Sequence, residues 1–334
     1  MLKPRRPAGL FHLPASFLFR YNTRPMTQYI IRRFLGLFPT LFVIITISFF
    51  VIRVAPGGPF DREKALPPQV LENIEAKYNM DKPLVVQYGM YMWDVIRGDL
   101  GPSYRYLDRD VNYYIFNSLP VSMFLGVVSL TIAIVLGVGS GIISAVRQNR
   151  LADYLSMSFA VVGISVPLFV IGPVLMYFLA LQWQLLPTSG WVGGRYGWLP
   201  LIMPAVTLAF PYFAYIARLT RASVIEVLRS DYIRTARAKG LKESVIIFKH
   251  VLKGAMLPVV SYLGPAFAGI VTGSVVVEQI FRVPGLGRFF VKSAFNRDYT
   301  LIMGTVIVFS VILVVMNFIV DIVYALLDPR ISYK

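Results

Sequence analysis

The sequence contains no cysteine and only two histidines among its 334 residues. The missing thiols exclude disulfides and thiolate–metal sites. His12 and His250 lie far apart, and neither belongs to the H-E-x-x-H pair of a zinc metalloprotease. The chain also lacks G-x-x-x-x-G-K-[ST], the phosphate loop of many ATPases. These absences remove the common routes to hydrolytic chemistry, so we expect no catalytic residue, no metal and no cofactor.

Charged residues are scarce as well, at 15% of the chain, whereas hydrophobic residues make up 56%. Soluble domains carry about 25% charged residues, so the composition indicates a membrane protein. The net charge is nevertheless +16. The basic residues lie between apolar runs, which favours loops held on the inner side of a bilayer over nucleic-acid binding.

Six apolar segments are long enough to cross a bilayer, which takes roughly 20 residues. Apart from Arg53, at the end of the first, they contain no Asp, Glu, Lys or Arg. The sequence therefore predicts an all-α integral membrane protein with six transmembrane helices. The predicted spans are Phe34–Val54, Leu119–Val146, Tyr154–Leu181, Leu199–Ala217, Pro258–Val277 and Leu301–Val320.

The charge of the connecting segments predicts the topology. Met1–Arg33 carries seven Lys or Arg and no acid, and Arg218–Lys253 carries nine against three acids. Ala55–Ser118 has seven basic and nine acidic residues. By the positive-inside rule both termini and the Arg218–Lys253 loop are cytoplasmic, and the loop after the first span is external.

The external loop has apolar residues at helical spacing on both sides of Pro83, which predicts a small helical cap. A simple lid and a docking surface are equally compatible with it. The residues that set the pattern are Val70, Leu71, Ile74 and Tyr78, then Val85, Tyr88, Met92 and Val95.

The first 25 residues need separate treatment, because Met26 begins a stretch typical of the start of a membrane protein. We interpret residues 1–25 as a disordered cytoplasmic extension or as the product of a start codon set too early. Their one apolar run is broken by His12 and Pro14, which argues against a signal peptide.

The near absence of charged residues from the predicted spans limits the possible transport mechanisms. Secondary transporters place ionisable groups near the bilayer midplane, and the nearest candidates here are Asn317 and Asp321, which a helix cap or an interhelical hydrogen bond explains. A self-sufficient channel or secondary transporter remains an alternative, although the ionisable or pore-lining polar groups that it would need are scarce in these spans. A membrane-embedded enzyme would need a nucleophile with a base, or a metal site, and no such set is visible in the sequence. Gly137 and Gly141 predict close helix packing rather than a nucleotide turn.

The segment from Tyr232 to Pro258 holds six Lys or Arg against one acid, Glu243. Its "TARAKG" piece predicts a short helix that Gly240 terminates. An apolar stripe is predicted to follow. Considered alone, the loop could set topology, bind anionic lipid or dock another protein. The stripe comprises Leu241, Val245, Phe248, Val251, Leu252 and Ala255.

The same segment resembles the conserved cytoplasmic loop of type I permeases of bacterial ABC importers, usually E-A-A, three residues, then G. Arg234 and Thr235 replace the first two positions of that pattern, as in the peptide and nickel branch, whereas Ala236 and Gly240 keep theirs. The resemblance implies a coupling helix, between the fourth and fifth spans, that seats in a separate ATPase. Its residues would be Arg234, Thr235, Ala236, Arg237, Ala238, Lys239 and Gly240.

Other segments, among them "VEQIFRVPGLGRFF" and "DIVYALLDPRI", extend the resemblance to the B-type permeases of oligopeptide importers. It implies a bacterial inner-membrane subunit that works with a second homologous permease, two cytoplasmic ABC ATPases and an extracytoplasmic peptide-binding protein. Dipeptides, nickel or oligosaccharides are alternative cargoes. The implied division is residues 26–118 (first span and external loop), 119–322 (type I transmembrane domain) and 323–334 (cytoplasmic tail).

Two further groups of residues are candidates for the passage. A turn at Pro284, Gly285 and Gly287 would close an outer gate, or would be an ordinary surface turn. Small residues at Thr272, Gly273 and Ser274 would line the passage, or would pack against a neighbouring helix.

Overall fold

The computed structural model describes residues 26–54, 69, 72, 76–106 and 109–327. The interpretation of residues 1–25, the part of the predicted cap at Val70, Leu71 and Ile74, and the tail beyond 327 lie outside the described residues. The predicted domain division stays a prediction.

The described residues are mainly helical, with one isolated β-bridge between Pro102 and Asp110. The helices are α1 (Met26–Val54), α2 (Leu84–Ile96), α3 (Val111–Val146), α4 (Leu151–Ser165), α5 (Leu168–Gln182), α6 (Leu199–Leu228), α7 (Asp231–Ala238), α8 (Glu243–Ala255), α9 (Leu257–Phe281), α10 (Gly287–Asn296) and α11 (Tyr299–Leu327).

Four of these helices, α1, α3, α6 and α11, are long and apolar enough to cross a membrane unbroken. Two further pairs pass the same test only when joined across a bend, α4 with α5 at 111° and α8 with α9 at 55°. Within the second pair, α9 has 25 residues, which extend about 37 Å at about 1.5 Å per residue and suffice for a span. The prediction of an all-α, six-span protein is confirmed in outline.

The third predicted span, Tyr154–Leu181, is not one straight helix. It breaks at Val166, whose ψ of 122° is extended, because the following Pro167 disfavours the helical conformation before it and has no N–H to donate. The pair still crosses the bundle. Asp153 at the start of α4 contacts Arg221 of α6, and Gly190 beyond α5 bonds to Phe281 at the end of α9.

Two helices extend beyond the predicted ends of their spans. Helix α3 begins at Val111 rather than Leu119, and α9 continues to Phe281 rather than Val277. The extension of α9 matters because it places Glu278 inside the helix, buried to 1% exposure. The fifth span therefore carries an acid, although the sequence-based boundaries contained none.

The centre of the molecule is the contact between α3 and α6. A Cβ at Gly137 would lie 2.8 Å from Ile216 Cγ2, and one at Gly141 would lie 2.7 Å from the Ala217 carbonyl oxygen. Only glycine allows this approach, so the prediction of close packing at both glycines is confirmed. The helices α4, α5 and α9 pack around this pair.

The loops sort into two ends of the bundle. At the α10 end, Thr46 of α1 is hydrogen-bonded to Tyr88 of α2 at 2.7 Å, which confirms the second half of the predicted cap as a helix on this end. At the opposite end, which we call the α7 end, α7 lies beside the ends of α3 and α6. Six crossings require successive loops to lie at alternate ends of the bundle, and this arrangement of the loops agrees with that requirement.

Candidate functional site

Helix α7 is a short element with defined ends. Ser230 precedes it in an extended conformation, and Asp231 lies in its first turn, where a negative charge is favourable. The chain leaves it through Gly240, whose φ of +75° lies in the left-handed region. The Gly240 N–H bonds to the Arg237 carbonyl at 2.9 Å. The predicted termination of the helix by Gly240 is therefore confirmed.

One face of α7 is fixed to the rest of the bundle. Ile233 and Ala236 are buried in a cluster with Ala145 of α3 and Val224 of α6. The same cluster includes Ile246, Val251 and Ala255 of α8. Through this cluster α7 is connected to α3, α6 and α8.

The opposite face of α7 is exposed. Of the seven residues of the predicted coupling motif, only Ala236 is buried, and the other six, Arg234, Thr235, Arg237, Ala238, Lys239 and Gly240, are exposed. Arg237 forms an ion pair with Glu243 at 2.6 Å, and Arg234 a longer one with Asp231 at 3.3 Å. The hydrogen bond to Glu243 raises the pKa of Arg237, which therefore stays charged.

The apolar stripe predicted after Gly240 is only partly correct. Val251 and Ala255 are buried as predicted, whereas Leu241, Val245 and Phe248 are exposed, and Ile246 is buried instead. The physical reason is the π-helical stretch Ile246–Val251, whose i→i+5 hydrogen bonds change the spacing of residues along a face. As a result, apolar side chains flank the basic face of α7, and Phe248 is 71% exposed.

An ion pair between a buried carboxylate and a half-buried arginine, which the sequence did not suggest, lies at the α7 end. Asp153 of α4 is 3% exposed and accepts hydrogen bonds from Arg221 Nε at 2.7 Å and Arg221 Nη2 at 2.8 Å. Ser144 of α3 and the backbone N–H of Asn149 also donate to it. This carboxylate therefore connects α3, α4 and α6 next to the seat of α7.

At the α10 end, the Pro-Gly turn (Arg282–Gly287) folds over the carboxylate of Glu278. Gly287 N donates to Glu278 Oε2 at 2.9 Å, and Ser122 of α3 donates to Oε1 at 2.6 Å. Ser122 in turn accepts from Leu286 N at 2.8 Å. A Cβ on Gly285 would collide with the Glu278 carboxylate.

This turn is not an ordinary surface turn. Gly285, Leu286 and Gly287 are buried, and Pro284 is half-buried. It is anchored to both α3 and α9, so the turn cannot move without breaking hydrogen bonds to one of these helices.

Of the three small residues of α9 proposed for the passage, the structure describes the surroundings of Ser274 only. Ser274 is fully buried and donates to Glu278 at 2.7 Å, so the packing alternative describes it. Thr272 and Gly273 lie on the same helix, and their surroundings are outside the described part of the structure.

A third buried carboxylate fixes the segment between α2 and α3. Asp298, at the start of α11, accepts from the Ser103 hydroxyl and from Tyr104 N at 3.2 Å. Burial raises the pKa of Tyr104 to about 12, so its hydroxyl stays neutral. Among the described residues, no group of three or more His, Asp or Glu could hold a metal ion.

Comparison with known proteins agrees with this architecture. The family described as "Binding-protein-dependent transport system inner membrane component" matches residues 137–333, and the N-terminal family of the same systems matches residues 26–109.

Curated relatives match over most of the chain. The oligopeptide transport system permease protein OppB of Salmonella typhimurium is 49% identical over 92% of this chain and all of its own length. The Haemophilus influenzae OppB is 48% identical over the same shares. The dipeptide transport system permease protein DppB of Bacillus subtilis is 44% identical over 92% of this chain and 98% of its own.

A solved structure has the same fold. The inward-facing MetNI methionine ABC transporter aligns with a TM-score of 0.54 at 18% identity, over 65% of this chain and 97% of the matched chain.

Proposed function

The chain belongs to the binding-protein-dependent transport system inner membrane components, and from this premise we propose how it works. It is the membrane permease subunit of an ATP-driven importer and forms half of the passage. We assign oligopeptides as its cargo, because the relatives at 48% and 49% identity are named oligopeptide permeases. Dipeptides are the second candidate, supported by the 44% identity to DppB.

The observation that carries the coupling role is the construction of α7. Six of its seven motif residues are exposed and three of them are basic, whereas Ile233 and the motif residue Ala236 anchor the helix in the cluster it shares with α3, α6 and α8. We assign α7 as the docking helix for a cytoplasmic ATPase. Exposed Phe248 and Leu241 beside it supply apolar contact area, and Arg237 and Lys239 supply charge for the partner.

The Pro-Gly turn is assigned to the outer gate on the strength of its anchoring. Glu278 and Ser122 hold the turn across α3 and α9, so a relative movement of these helices would open or close it. Thr272 and Gly273 remain candidates for the passage wall.

The remaining assignments concern the assembly and its orientation. We propose that a second homologous permease completes the passage, that two ATPases supply the energy and that an external binding protein delivers the peptide. The α7 end is cytoplasmic, as are both termini, and the α10 end faces the binding protein. The basic content of Arg218–Lys253 supports this orientation.

A charge-swap experiment tests the coupling role of Arg237. Arg237→Glu reverses an exposed charge, and the double variant Arg237→Glu, Glu243→Arg restores the ion pair within the chain. If Arg237 serves the ATPase, uptake is lost in both variants, although both insert and assemble with their partner permease.

Rescue of uptake by the double variant would contradict the proposal, because only a pair internal to this chain would then matter. Arg147→Glu, at an exposed arginine on the same end of the bundle, is the matched control and is expected to leave uptake unchanged.

A further inference from the structure

A cavity with charged walls lies between the first half of α1 and the second half of α11. Its volume is about 460 Å³, which falls within the range of about 300–1,000 Å³ typical of small-molecule sites. The polar side chains that line it are Tyr29, Arg32, Arg33, Thr40, Asn317 and Asp321. Neither the coupling helix nor the Pro-Gly turn contributes to it.

The cavity remains open because α1 is a peripheral helix that packs loosely here. A Cβ added at Gly36 would meet nothing within 4 Å, so this position leaves space between the helices. Phe34 and Phe318, with ring centroids 6.0 Å apart, close the gap on one side.

The depth of the cavity corresponds to the surface of the bilayer. The first apolar run begins at Phe34, directly after Arg32 and Arg33, and the last ends at Val320, directly before Asp321. The charged groups therefore lie where apolar helix meets polar surroundings, the level at which lipid headgroups are found.

The charges in the cavity have both signs. Arg33 Nη1 lies 3.2 Å from Asp321 Oδ2, and the Arg33 guanidinium also lies 5.5 Å from the centre of the Tyr29 ring. Arg32 lines the same cavity. A guanidinium matches a phosphate with two parallel hydrogen bonds, and a carboxylate has acceptor sites beyond the one that Arg33 uses.

We propose that this cavity binds the headgroup of a glycerophospholipid, with its phosphate at Arg32 and Arg33 and a primary amine at Asp321. Asp321 distinguishes the headgroup, because it attracts an amine and repels a second negative charge. A bound lipid would also bridge α1 to α11.

The test uses the assembled importer in detergent and native mass spectrometry of bound short-chain lipids. The probes are dioctanoyl phosphatidylethanolamine, phosphatidylcholine and phosphatidylglycerol, each titrated separately, with inorganic phosphate added as a competitor. The wild type is expected to bind the ethanolamine lipid more tightly than the other two. The quaternary amine of the choline lipid cannot donate an N–H hydrogen bond to Asp321, and the glycerol lipid has no amine.

Two variants assign the groups. Asp321→Asn is expected to weaken ethanolamine lipid about tenfold, the scale of one charge-assisted hydrogen bond, while binding of the glycerol lipid is retained. Arg32→Gln is expected to weaken all three lipids, whereas Arg147→Gln, an exposed arginine on the same end of the bundle, changes none. The ratio of the affinities for two lipids is measured within one protein preparation, so it does not depend on the fraction of the variant that is folded.

Three results would overturn the proposal. One is equal binding of ethanolamine and choline lipids by the wild type. A second is the same lipid preference in wild type and Asp321→Asn. The third is displacement of the lipid by millimolar inorganic phosphate, which would indicate a site for the free anion instead.

Discussion

At the residue scale, buried carboxylates hold the loops of this protein in place. Glu278, Asp153 and Asp298 are each at most 3% exposed, and each accepts hydrogen bonds from both a serine hydroxyl and a backbone N–H. A carboxylate is suited to this because its two oxygens accept several donors at once. Each loop is thereby tied to helices that are distant in sequence.

Replacing Glu278 with glutamine tests the anchoring of the Pro-Gly turn. The carboxylate accepts hydrogen bonds from three donors, whereas the glutamine amide has an NH₂ group in place of one oxygen. At least one of the three donors then loses its acceptor, which costs about 1–3 kcal/mol of stability. We expect amide hydrogen exchange at residues 283–290 to accelerate about tenfold, and fewer peptides to be imported per ATP.

Glu226→Gln, at an exposed acid of α6, is the control and is expected to change neither quantity. Unchanged exchange and coupling in Glu278→Gln would remove the turn from the proposed gate.

The sequence alone could not identify these carboxylates. Glu278 lies one residue beyond an apolar run and reads as a boundary residue. Its partners Ser122 and Gly287 are 156 and 9 residues away, so only the folded chain brings the three together. By contrast, Gly240 and the pair Gly137 and Gly141 were predictable, because their roles depend on local backbone conformation or on one helix surface.

At the element scale, the spans were predicted well and their interruptions poorly. Long apolar runs define α1, α3, α6 and α11 with little ambiguity. The break between α4 and α5 follows from Pro167, but prolines also lie inside α1 and α6 without breaking them. Tertiary packing decides between these outcomes. The π-helical stretch of α8 has no comparable signal in the sequence.

The connection of α4 to α6 predicts a stability effect. Arg221→Met leaves the buried carboxylate of Asp153 without its cation, and the loss of that hydrogen-bonded partner costs about 1–3 kcal/mol, because the Arg221 side chain itself is 28% exposed. We expect a markedly lower midpoint of thermal unfolding for the purified assembly. We also expect looser packing of α7 against its cluster with Ala145 of α3 and Val224 of α6.

Arg218→Met, one helical turn earlier on an exposed position of α6, serves as the comparison and should change the midpoint little. Equal midpoints for the two variants would show that the pair contributes no net stability.

At the scale of the whole molecule, the two ends of the bundle have different chemistry. The α7 end carries the exposed basic helix, and the α10 end carries the cap helix α2 and the Pro-Gly turn. This asymmetry is consistent with the proposed contacts, an ATPase at the α7 end and a binding protein at the α10 end.

The absence of cysteine makes the proposed orientation directly testable. Single variants Asn149→Cys and Arg195→Cys place one exposed thiol at each end of the bundle. A membrane-impermeant maleimide added outside intact cells is expected to label Arg195→Cys only. Asn149→Cys should react only after the membrane is opened, and the reverse pattern would invert the orientation.

The most direct test of the central claim is to purify the tagged chain in mild detergent, identify what co-purifies and measure ATP hydrolysis after reconstitution. The account predicts a second permease and an ATPase in the complex, with hydrolysis stimulated by peptide and its binding protein. A chain that purifies alone and still moves solute across vesicle membranes would contradict it.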